Sequence, residues 1–143
     1  NVGIMDKDEL LNDFENEKNE KILYTNYANI KNDKNDILQK LQLDRNQLKE
    51  IHKKLKYYKY IEDPKDFEFG YYIRWINLSN PENIKLTNGG VIIDMQVINE
   101  MLYLTCKNNY NRVFRLNFNK CIVFQRLTNQ ENILLQVMNY LKK

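Results

Sequence analysis

The chain has 143 residues, 43% of them hydrophobic and 29% charged, with a formal net charge of +3. That is one domain, or one domain with a helical arm, and it is long enough to bury a core without disulfides or metal. A single histidine and two cysteines exclude a zinc set, and no stretch approaches the roughly 20 apolar residues of a membrane span.

The charge is unevenly spread. Asn1 to Glu20 holds seven acids against two lysines, and Arg45 to Tyr60 holds six bases against one acid. Ile61 to Gly70 is acidic again, and Tyr71 to the end is basic by five. The 22 asparagines, accompanied by lysine rather than arginine, point to A/T-rich codons, which speaks of origin and not of chemistry. Asn1 is not Met, so the chain is expected to be processed or part of something longer, and Asn1 to Leu11 shows no signal peptide. Cys106 and Cys121 fall in different predicted strands and read as reduced thiols of a cytosolic-type protein.

Asp6 to Asn19 is predicted helical, with Leu10, Leu11 and Phe14 as a short apolar stripe. From Tyr24 to Asn35 the periodicity fades, and a loop or weakly formed segment is expected. Asp36 to Tyr60 is the clearest helical region, with Ile37, Leu41, Leu48, Ile51, Leu55 and Tyr58 in heptad-like steps. It reads either as one long helix or as two, split at Leu43-Asp44. In the split reading Asp44 is the N-cap, Gln47 its capping-box partner, and Arg45 to Tyr60 a second helix at helix-turn-helix spacing. Pro64 ends this helical arm, which covers residues 1–63.

The period then changes to two. Strands are predicted at Phe69–Leu78, Lys85–Ile98, Met101–Lys107, Arg112–Phe118 and Cys121–Leu127, with turns at Ser79–Asn83, Asn99-Glu100, Asn108-Asn109 and Asn119-Lys120. Gly89-Gly90 is the natural place for a bulge or sharp bend, and Asp94 is expected on an outer face with Ile92 and Gln96. Thr128 and Glu131 form a capping box for a last helix, whose buried face would be Ile133, Leu134, Val137, Met138 and Leu141. The fold class is therefore α+β: N-terminal helices, then over residues 64–143 a small five-stranded antiparallel SH3-like or OB-like barrel closed by a C-terminal helix.

No constellation carries catalysis. His52 sits among Lys49, Lys53, Lys54 and Lys56, so no Ser, Cys or Thr has a base beside it, and Gly89-Gly90 lacks the Lys and Ser/Thr of a phosphate loop. No enzyme activity, metal, cofactor or small-molecule substrate is expected. Binding is better supported. The stripe Leu48, Ile51, Leu55 and Tyr58, with Trp75, is the expected contact surface for a protein partner or a second copy. The alternative is nucleic acid, held by Lys53, Lys54 and Lys56 of the basic helix and by Arg74, Arg112, Arg115 and Arg126 of the strands. Those arginines are interleaved with Tyr72, Trp75, Tyr110 and Phe114; the plain packing alternative makes Trp75 and Phe114 core, with arginines lying along their edges. If the arginines and the basic helix share one face, nucleic acid gains; if they point apart, it loses.

Gly70-Tyr-Tyr-Ile-Arg-Trp-Ile76, Leu86-Thr-Asn-Gly-Gly-Val91, Arg112-Val-Phe-Arg-Leu116 and Cys121-Ile-Val-Phe-Gln125 resemble a module of hypothetical proteins from giant nucleocytoplasmic DNA viruses. The resemblance covers roughly the C-terminal half and contains no catalytic signature. It implies a viral protein made in the infected host's cytoplasm and assigns no ligand; the apolar stripe on the basic helix Asp36 to Tyr60, read as a docking arm, makes a structural or adaptor protein of the viral factory or virion the expected function. The partner would be viral or host protein.

Overall fold

The computed structural model describes residues 27–141. The helix expected over Asp6–Asn19 lies outside the described residues. Two helices come first: α1 over 27–39 and α2 over Arg45–Lys54. The split reading of this region is the correct one. α1 unwinds where Leu41 N and Gln42 N bond three residues back and Gln42 turns to φ 51°. Asp44 then accepts a hydrogen bond from Gln47 N at 2.8 Å, which caps α2. The capping box is not completed, because Gln47 Nε2 donates instead to Ile84 O at 2.9 Å.

Where a loop was expected over Tyr24–Asn35, residues 27–35 are helical. Tyr27, Ile30, Lys34 and Leu38 follow helical steps, but the third of them is a lysine, and it is buried. That one charge hides the stripe from a hydrophobicity reading.

The strands are β1 (Tyr58–Ile61), β2 (Tyr72–Asn77), β3 (Gly90–Ile98), β4 (Met101–Lys107), β5 (Val113–Asn117) and β6 (Cys121–Arg126). Helix α3 (Asn129–Leu141) follows. They form one antiparallel six-stranded sheet in the order β1-β6-β2-β3-β4-β5, open at both edges. The five-stranded closed barrel is thus corrected in two respects. The sheet has a sixth strand, Tyr58–Ile61, taken from the end of the predicted helix. It also does not close by hydrogen bonds.

The sheet nevertheless curls. β5 and β6 are joined by the three-residue 3-10 turn Phe118–Lys120. Four strand steps in a flat sheet would set them about 19 Å apart. A 3-10 turn advances only about 2 Å per residue. The far edge must therefore bend back toward β6. The inner face this creates buries Ile73, Trp75, Ile92, Leu104, Cys106, Leu116 and Val123. Phe67 and Phe118 pack against this core and meet edge to face, 5.7 Å between ring centroids.

Two close approaches shape the β2–β3 side. A Cβ on Gly89, at φ +86°, would lie 1.9 Å from Ile73 O, and one on Gly90 would lie 2.7 Å from Lys107 O. The pair serves backbone contact. The bulge lies elsewhere, as a register shift between Ile92 and Asp94. It turns Ile92 inward and leaves Ile93 and Asp94 exposed, so Ile92 does not share the outer face with Asp94 as expected.

The outer face carries the second core. Ile76, Ile122 and Phe124 of the sheet are covered by Leu38 of α1 and by Ile51 and Leu55 of the α2 segment. Helix α3 is tied to β1 by Lys59–Glu131 (2.7 Å) and to α1 by Tyr27 Oη donating to Asn139 Oδ1 (3.0 Å). Its capping box forms as read: Thr128 N donates to Glu131 Oε1, and Glu131 N to Thr128 Oγ1. Its expected buried face does not, since only Leu134 is buried while Ile133, Val137 and Leu141 are exposed.

Candidate binding groove

The apolar stripe expected to take a partner is largely occupied by the protein's own sheet. Ile51 and Leu55 are buried, and Leu48 and Tyr58 pack half-buried against the same outer core. Tyr58 is not on the helix at all; it opens β1. Trp75 is 7% exposed and belongs to the inner core.

The predicted basic residues divide between surfaces. Lys53, Lys54 and Lys56 are exposed at and just beyond the end of α2. Arg74 and Arg126 lie on the helix-bearing face, beside Phe124 and Tyr58 in the register. Arg115 shares its face with Thr105, and its guanidinium sits 4.5 Å from the Tyr103 ring centroid. Arg112 is different. Alternation along β5 places it with Phe114 and Leu116, on the inner side.

There Arg112 lines a concavity of about 420 Å³ together with Trp75, Thr87, Gly89, Tyr110 and Phe114. Trp75 forms the floor. Tyr110 is 85% exposed and Phe114 40%, so both present ring surface to solvent. The Arg112 side chain makes no hydrogen bond or ion pair among the described residues.

The walls are rigid for local reasons. Thr87 is clamped to β2 by three bonds: Thr87 N to Trp75 O (3.0 Å), Trp75 N to Thr87 Oγ1 (3.1 Å) and Arg74 Nε to Thr87 O (2.7 Å). Opposite, the β4–β5 turn is organised around Asn108, whose Oδ1 accepts from both Tyr110 N (2.9 Å) and Arg112 N (3.0 Å). Asn108 N donates to Arg112 O, and Asn111 takes the left-handed φ of 62° that asparagine tolerates. From outside, Asn109 N donates to the Tyr72 hydroxyl at 3.1 Å. Tyr110 and Arg112 therefore stand on a backbone fixed at four points, which lowers the ordering cost of binding.

The sequence singled out Trp75, Tyr110, Arg112 and Phe114 but missed Thr87, Asn88 and Asn108. The sequence reading put Arg112 and Arg115 in one set, although the period-2 pattern of Arg112, Phe114 and Leu116 sets Arg112 apart from Arg115. Nothing local signals that Thr87 faces Tyr110, since that follows from the curl.

Burial pushes the Cys106 thiol up to about 12 and the Cys121 thiol up to about 11, which keeps both protonated at neutral pH. Burial, and then Lys34, lowers the His52 pKa, so the ring is neutral there. Among the described residues no three His, Cys, Asp or Glu side chains converge to hold a metal ion, and no helix is long and apolar enough to cross a membrane. Compared with protein families, with curated proteins and with solved structures, the chain matches none.

Proposed function

We propose that this protein is a non-catalytic binding module that takes an extended segment of a protein partner in the groove between Thr87-Gly89 and the β4–β5 turn. The observation that carries this reading is the unpaired Arg112 beside three aromatic rings on a pinned backbone. Aromatic and arginine side chains around one concavity are the residue types that anchor interfaces. The ligand chemistry follows. An apolar or planar side chain fits over Trp75 between Tyr110 and Phe114, and a neighbouring carboxylate pairs with Arg112. A phosphodiester backbone fits this groove poorly. Arg112 is its one cation, and Thr87, Asn88 and Asn108 are neutral.

The arrangement of β2 to β6 favours the SH3-like version of the barrel reading: neighbours β6-β2-β3-β4-β5, with a 3-10 turn before the last strand. The viral setting rests on the sequence resemblance alone. Panning a displayed random-peptide library on the purified protein tests the function. Enriched peptides should carry an acid next to an aromatic, proline or aliphatic residue, and should lose binding to Arg112→Ala and to Tyr110→Ala. Enrichment of sequences insensitive to both substitutions would sink the reading.

A further inference from the structure

Away from the groove, the sheet register assembles a second surface. Tyr58 pairs with Arg126, and one step beyond Ile73–Gln125 places Tyr72 on the other side of Arg126. Tyr72 pairs with Val91, Val91 with Lys107, and Lys107 with Val113. Directly paired residues share a face, so these six form one row across the whole sheet. Arg74 lies on the same face, two residues from Tyr72. The helices cover the Ile76, Ile122 and Phe124 end of this face and reach Tyr58, which packs half-buried; Tyr72 and Val91 are half-buried, and Arg126, Lys107 and Val113 are exposed.

The row contains three cations with Arg74 and no acid. None of the three is in an ion pair among the described residues; the pairs formed are Lys59–Glu131 and Lys65–Asp63. Arg74 and Arg126 both act on the Tyr58 phenol. Burial raises its pKa, and the two guanidiniums pull against that rise. Arg74 and Arg126 are like charges on neighbouring strands, Lys107 lies three strands from Arg126, and Asp94, opposite Thr105 on the same face, pairs with none of them; an anion relieves the repulsion. The tyrosines add the second half of the pattern, since Tyr58 and Tyr72 stand one strand to either side of Arg126. Aromatic rings spaced by cations on an open sheet face suit stacked bases joined by phosphates.

We infer that the outer sheet row Tyr58–Arg126–Tyr72 with Arg74 and Lys107 is a binding surface for single-stranded nucleic acid, on the face opposite the groove. Two tyrosines take bases, and Arg126, Arg74 and Lys107 follow the backbone. The charge splits the two surfaces by chemistry: Arg112 alone serves the groove, while the cations of the row serve a polyanion.

Fluorescence anisotropy of a fluorescein-labelled oligo-dT, at two or more salt concentrations, tests this. Wild-type protein should bind at low salt. The double variant Arg126→Glu, Lys107→Glu should lose at least tenfold, and its slope of log affinity against log salt should flatten by about two. Tyr58→Leu, which keeps an apolar side chain against the outer core, should lose about fivefold or more through lost stacking. Arg112→Glu, which removes the cation of the groove, should leave the oligonucleotide affinity unchanged. Absence of binding at low salt overturns the inference. So does full binding by the double variant, an unchanged affinity in Tyr58→Leu, a loss in Arg112→Glu equal to that of the double variant, or tighter binding of the same oligonucleotide as a duplex. Circular dichroism of each variant confirms that a loss is not unfolding; Arg126 and Lys107 are exposed, so their substitution leaves the core intact.

Discussion

The Lys34 ammonium lies 2.9 Å from the carbonyl oxygen of Leu55 and 3.0 Å from that of Tyr58. One side chain of α1 thus closes the end of α2 and holds the first residue of β1. The charge is buried, but it meets the negative end of a helix and two carbonyls. Replacing it with Met keeps the stem and strands both acceptors. Lys34→Met is expected to cost about 2–4 kcal/mol in urea unfolding at pH 7.

The same residue sets a pH dependence. Burial, and then Lys31, lowers the Lys34 pKa from 10.5 to about 8. Between those values the unfolded chain binds more protons than the folded one, so this group's contribution to stability rises with pH, by at most about 1.4 kcal/mol per unit. The two thiols act in the opposite sense. The stability they contribute through a raised pKa is complete below 9 and is lost as pH climbs toward about 11 for Cys121 and about 12 for Cys106. Wild type minus Lys34→Met isolates the lysine: the gap should widen from pH 7 to 9 and reach a plateau above 10.5. A gap independent of pH would refute the assignment.

Gly89 and Gly70 both have positive φ, at +86° and +88°, yet only Gly89 faces a clash, with Ile73 O. Gly70 has open space around it. Gly89→Ala should therefore unfold the β2–β3 junction or cost more than about 4 kcal/mol, the range of steric and strain defects. Gly70→Ala should cost about 1 kcal/mol, from backbone strain alone. Thermal melts of the two variants check the contrast, and equal losses would contradict the geometry.

Glu131 serves two partners with its two oxygens: Oε1 accepts from Thr128 N, and Oε2 pairs with Lys59 at 2.7 Å. Glu131→Gln retains an oxygen for the cap and loses the charge. Thr128→Ala loses the hydroxyl that accepts from Glu131 N. Each should cost about 1 kcal/mol. The Glu131→Gln loss should shrink in high salt while the Thr128→Ala loss should not. Denaturant melts at low and high salt distinguish them.

Local signals predicted the elements whose reasons are local. Met101–Lys107 shows its strand because Leu102, Leu104 and Cys106 alternate inward. Asp44 and Thr128 announced their helices through side chains that bond three residues on. Tyr58–Ile61 was hidden because Tyr58 continues the helical stripe of Ile51 and Leu55, whereas its strand character comes from pairing with β6, more than sixty residues away. Ile92 was assigned to the wrong face because one bulged residue reverses the parity of everything before it. The ingredients of the groove were legible as Arg112, Tyr110, Phe114 and Trp75. Their meeting was not, because it depends on how far the sheet curls between β2 and β5.

Trp75 is the one tryptophan of the chain and lies at the floor of the groove. Its fluorescence therefore reports directly on occupancy. Titrating the protein with a library-enriched peptide should shift or quench Trp75 emission to saturation. The shift should move to at least tenfold higher peptide concentration in Arg112→Ala and be unaffected in Lys53→Ala, which lies on α2. Saturable binding by calorimetry that leaves Trp75 emission unchanged, or that survives Arg112→Ala undiminished, would contradict the groove as the binding site.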